Sequence, residues 1–227
     1  MTIIVYFLAS FLAVAIVLSL HEFAHAFVAY KCGDPTAKWA GRMTVNPMKH
    51  FDLVGLLLFA VAGFGWAKPV PINPNNFKNY RRGYFLTSIA GVLINYLTAL
   101  LLFYPLMILI ERAIPFTGTY TLGDIFMDYF TYLLYHSSLS FCVFNLLPIY
   151  PLDGFRMIDA IDKKRGKVYR FLRMYGQYIL MGLIILSYFC QKINHPLFEY
   201  LDVLGQVMGF LRKIFETPIV FLWGLIL

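Results

Sequence analysis

Residues 3–30 read IIVYFLASFLAVAIVLSLHEFAHAFVAY, an apolar run whose only acidic or basic side chains are His21, Glu22 and His25. Such a run exceeds the roughly 20 residues needed to cross a bilayer, and backbone groups in lipid must bond within their own segment, so a membrane helix is expected. On a helix, residues four apart share a face, so the imidazoles of His21 and His25 reach one Zn²⁺. Glu22, three residues before His25, is close enough to act as general base on water at that ion. Ionisable groups inside an apolar span are costly and therefore functional by default.

The rest of the chain fits this reading. Hydrophobic residues make up 60% of the 227 and charged residues 14%, well outside the balance of a soluble domain. Further apolar runs lie at 84–110, 129–150 and, shorter, 175–190. The first run lacks the basic residues that precede a secretory signal's apolar core, since the first Lys or Arg is Lys31. Cys32, Cys142 and Cys190 are widely spaced and odd in number, which argues for free thiols. The net charge of +7 sits in loops beside apolar spans, where it sets orientation and does not mark nucleic-acid binding.

Fifteen of the nineteen Lys and Arg residues fall in three connections, 31–49, 68–82 and 156–173. The connection 111–128 holds Arg112 against Glu111, Asp124 and Asp128. The positive-inside rule puts the three basic connections in the cytosol and the N-terminus outside. Residues 51–66, short and with Gly55, Gly63 and Gly65, then suit a re-entrant segment rather than a crossing. A small surface β element is expected at 38–45. Residues 196–227 read either as an interfacial helix followed by a short anchor or as one tilted span. No separate soluble domain is expected: residues 1–227 form one domain, with a core at about 1–162 and C-terminal helices at about 175–227.

Catalytic zinc usually takes three protein ligands, so a third must come from elsewhere. Asp153 is the strongest candidate, ahead of Asp34 and Asp52. It follows Asn145-Leu146-Leu147-Pro148-Ile149-Tyr150-Pro151-Leu152, where two prolines break a helix. Counting from residue 3, His21 lies about 27 Å down, and counting from 129, Asn145 lies about 24 Å down. Asn145 and Asn95 are both candidates to donate to an oxyanion. Asn95, about 16 Å in from the cytosolic face when counted from residue 84, falls deeper than the metal, which favours Asn145. His50 and Asp52 either orient each other or are solvated, and His136 is expected to bond a neighbouring helix.

These residues together resemble the compact site-2 proteases, a family of intramembrane zinc metalloproteases. The resemblance is carried by His21-Glu22-Phe23-Ala24-His25, Gly33-Asp34-Pro35-Thr36-Ala37, Asn46-Pro47 with His50 and Asp52, Gly65-Trp66-Ala67-Lys68-Pro69-Val70-Pro71, and residues 145–154. It covers the first two-thirds of the chain. It implies an all-α polytopic membrane protein with a three-helix catalytic core, one zinc on His21, His25 and Asp153, and Glu22 as general base. The expected substrate is a single-span or membrane-anchored protein cut in or near its transmembrane helix, and the counted depth of His21 leads to a site open to the cytosol. One departure is Val92, where the family usually has proline in Ala-Gly-Pro ahead of the residue matching Asn95. The rival function, a non-catalytic zinc transporter or sensor, calls for ionisable residues across the whole bilayer, and 84–110 has none.

Overall fold

The structure, a computed structural model, describes residues 2–52, 54–55, 67–113, 121–193 and 195–226. The chain divides into two compact units, Met1–Cys142 and Val143–Leu227.

The first unit opens with α1 (Thr2–Cys32). Its buried positions include Ala9, Ala13, Val17, His21, His25 and Ala29, spaced four apart on one face. Small side chains along this face let a neighbouring backbone come close, as in membrane helix pairs. That neighbour is α3 (Tyr80–Thr98), which continues through a π-helical turn at Ala99–Phe103 into α4 (Tyr104–Ala113). α3 starts where the Asn79 side chain accepts from the Arg82 N–H. It runs unbroken through Ala90-Gly91-Val92, so the missing proline leaves a regular helix.

Between α1 and α3 the chain folds around Asp34, which is fully buried. Its carboxylate accepts from the Thr36 N–H and Oγ1, the Asn73 N–H and the Asn76 Nδ2. Those bonds start α2 (Thr36–Trp39) and tie it to the 3-10 turn Pro74–Asn76. They also explain why 38–45 is not the expected strand. Asp34 nucleates helix at Thr36, Gly41 turns the chain at φ +65°, and Met43 packs on Ala26, Ala37 and Val70. Among the described residues there is no strand, and an isolated antiparallel bridge pairs Phe51 with Ala67. Most of the expected re-entrant segment lies outside the described residues, but its two ends meet at that bridge.

α5 (Leu122–Asn145) completes the first unit and enters the second in its last turn. Among the described residues, three helical stretches are long and apolar enough to cross a membrane: Thr2–Cys32, Tyr80–Ala113 and Lys167–Lys192. α5, expected as a span, is not among them because Tyr, Ser, Thr and His dilute its hydropathy. Some of its polar groups face protein: buried Ser138 donates to the Asn95 carbonyl at 2.9 Å and lies 3.2 Å from the Thr98 hydroxyl. Tyr135 meets Tyr104 edge-on, and His136 lies between the Tyr132 and Tyr135 rings.

The second unit contains α6 (Asp153–Ile161), α7 (Lys167–Lys192), α8 (Pro196–Leu201) and α9 (Val203–Gly224). Its core joins Leu147, Leu152 and Leu180 with Met208 and Leu211. Residues 196–226 are thus two helices hinged at Asp202, which accepts from the Gly205 N–H. His195, without a reading in the sequence, caps α8 by accepting from the Leu197 N–H.

Candidate metal centre

His21 and His25 sit one turn apart on the small-residue face of α1, both buried, with imidazole planes at 83°. Their Nε2 atoms are 3.0 Å apart. Two nitrogens each at ~2.05 Å from a tetrahedral zinc stand about 3.3 Å apart, so a small adjustment admits the ion. The second nitrogen of His25 settles its tautomer. Nδ1 lies 2.7 Å from the Thr87 carbonyl, an atom that only accepts, so Nδ1 carries the proton and Nε2 the lone pair a metal needs.

α3 shapes the other side. Thr87, Gly91 and Asn95 lie four apart on one face of α3, and all three meet the histidines. A Cβ at Gly91 would stand 2.5 Å from His25 Nε2 and 2.7 Å from His21 Nε2. The space that an ion would use therefore exists because residue 91 has no side chain. Asn95, fully buried, places Nδ2 at 3.2 Å from His21 Nδ1. The donors present, two imidazole nitrogens with a cradle beside them, fit zinc.

Glu22 points to the segment that follows Ala67. Its Oε2 accepts from the Val70 N–H at 2.8 Å. The same extended segment is held by the Lys68 N–H donating to the His50 carbonyl and by Arg42 donating to the Lys68 carbonyl. His50 and Asp52 do not orient each other: His50 Nε2 donates to the Thr44 carbonyl, and Asp52 accepts from the Gly55 N–H.

Asp153 and Asn145 belong to the second unit. Helix α5 ends at Asn145 ahead of Pro148, as the sequence predicts, and α6 begins at Asp153. Gly154 makes this break compact, since a Cβ there would stand 2.3 Å from the Leu146 carbonyl oxygen. Asp153 is buried, and its Oδ1 faces Arg156 Nη1 at 3.4 Å.

Sequence reasoning missed Gly91 and Thr87 and misplaced Asn95. α1 is 31 residues, about 46 Å, which exceeds the hydrocarbon thickness. Depth counted from residue 3 therefore puts His21 too near the membrane face at the Cys32 end. Counted back from Cys32, His21 lies about 16 Å in, level with Asn95. The i, i+4, i+8 spacing of Thr87, Gly91 and Asn95 was the available signal.

An apolar helical membrane domain with paired imidazoles and an adjacent carboxylate defines a membrane metallopeptidase scaffold. Comparison with known proteins agrees: the model of "Peptidase family M50" matches residues 9–187, and the chain belongs to that family. It is 42% identical over 156 residues to YwhC of Bacillus subtilis (strain 168), whose name proposes a zinc metalloprotease, covering 68% of this chain and 70% of that one. Rip2 of Mycobacterium tuberculosis (strain ATCC 25618 / H37Rv), named in the same way, is 30% identical over 74% of this chain and 62% of its own length. Rip2 of Mycolicibacterium smegmatis (strain ATCC 700084 / mc(2)155) is 27% identical over 74% and 63%. The chain thus spans less than two-thirds of the mycobacterial relatives. No solved structure matches.

Proposed function

We propose that this protein is a zinc-dependent endopeptidase that cuts a single-span or membrane-anchored protein in or near its transmembrane helix. The observation that carries this is the convergence of the His21 and His25 Nε2 atoms at 3.0 Å on an apolar helix, with Glu22 between them in sequence.

His21, His25 and Asp153 hold one zinc per chain. The support for Asp153 is its burial at a helix start, its hard anionic oxygen and its place in Leu152-Asp153-Gly154. When bound, zinc supplies Lewis acidity to the scissile carbonyl and lowers the pKa of the attacking water. Glu22 takes the proton of that water and passes it to the leaving amine. Held through Oε2 by Val70, it keeps Oε1 for this transfer. The Asn145 side chain donates to the oxyanion, since Asn95 is engaged with His21. The basic connections face the cytosol, the N-terminus lies outside, and water enters from the cytosolic side.

The test is metal analysis of purified protein joined to a cleavage assay on a single-span substrate. Glu22→Gln keeps zinc and loses cleavage by at least ~100-fold, in the range of general-base removal. His21→Ala, His25→Ala and Asp153→Ala lose zinc as well. Full cleavage by Glu22→Gln overturns the mechanism.

A further inference from the structure

Asn95 presents a buried amide whose Nδ2 lies 3.2 Å from His21 Nδ1 and whose Oδ1 has no hydrogen-bond partner among the described residues. An orphaned buried carbonyl oxygen is costly and calls for an explanation. Two hydrogen-bond patterns fit the row Asn95, His21, His25 and Thr87. In one, Asn95 Nδ2 donates to His21 Nδ1, His21 Nε2–H donates to His25 Nε2, and His25 Nδ1–H donates to the Thr87 carbonyl. That pattern puts a proton on His21 Nε2 and leaves Asn95 Oδ1 unpaired.

A cation bound by both Nε2 atoms requires the other pattern. The proton of His21 must then sit on Nδ1, facing Asn95, and a donor there would oppose it. A half-turn of the amide about its Cβ–Cγ bond exchanges Oδ1 and Nδ2 within the same volume. Oδ1 then accepts from Nδ1–H at the distance Nδ2 now holds. No net proton is gained or lost by the imidazole, whose proton moves from Nε2 to Nδ1 by exchange with solvent.

Resting on the metal-centre reading above, we propose that Asn95 is the positioning residue that sets the tautomer of His21, its amide oxygen accepting Nδ1–H whenever Nε2 ligates a cation. It does for His21 through a side chain what the Thr87 carbonyl does for His25 through the backbone. The amide is suited to this because it serves either tautomer, whereas the carbonyl fixes one.

Zinc affinity by chelator competition on the full-length protein in detergent provides the test. Asn95→Leu, which fills similar volume without an acceptor, weakens zinc by about 10- to 100-fold, as loss of an orienting partner does. Asn95→Asp, an acceptor only, binds zinc at least as tightly as the parent. A donor role or a merely structural one predicts that Asp is as damaging as Leu, and that ranking overturns the proposal. ¹⁵N-histidine spectra of the unmutated protein with and without zinc add a readout independent of folding. His21 shows the Nδ1–H tautomer with zinc bound, and the opposite tautomer there also overturns it. Absence of zinc binding by the parent protein would instead remove the metal-centre reading itself.

Discussion

Asp34 shows how one buried carboxylate near a motif organises the fold around it. Its carboxyl is kept below the usual carboxylate range. Burial acting alone would raise it, but the combined hydrogen bonds from Thr36, Asn76 and Asn73 outweigh burial. A lowered folded value means that its stabilisation is complete above the unfolded value of about 3.9 and is lost as pH falls through the folded one. Asp34→Ala should cost on the order of 2–3 kcal/mol at neutral pH, the scale of charge-assisted hydrogen bonds lost from a buried group. Thermal unfolding in detergent should show the gap between variant and parent narrowing below about pH 4. A gap that stays constant through the acid range would contradict this account.

At the scale of elements, the site is made by the contact of α1 with α3. Gly91→Ala places a methyl within 2.7 Å of both Nε2 atoms, so the helices must separate or the rings must turn. Overpacking of this kind costs about 1–3 kcal/mol. Zinc retention should fall at least ~10-fold, read by metal analysis after gel filtration, with the helical signal in circular dichroism unchanged. Half of this contact was legible in the sequence. The four-residue spacing of His21 and His25 and the break after Asn145 are local signals, set by helix periodicity and by proline. The partners of the histidines come from some 70 residues away; their i, i+4, i+8 spacing marks a helix face, but which helix that face meets is set by tertiary packing. The strand expected at 38–45 failed partly for a similar reason. Asp34 starts a helix at Thr36 through local bonds, but it is held buried there by donors from residues 73–76, well outside any local window.

Over the whole molecule, apolar helices and basic connections set the protein in a membrane. The orientation proposed here puts Cys32, partly exposed at the end of α1, in the cytosol. A membrane-impermeant maleimide should label it in inverted vesicles and spare it in intact cells, and the reverse pattern would invert the topology. The bridge between Phe51 and Ala67 carries a consequence of another kind. Because Phe51 and Ala67 already touch, the fold on either side places no demand on the number of residues between them. Chain can be added or exchanged between these two residues over evolutionary time without moving α1 or α3.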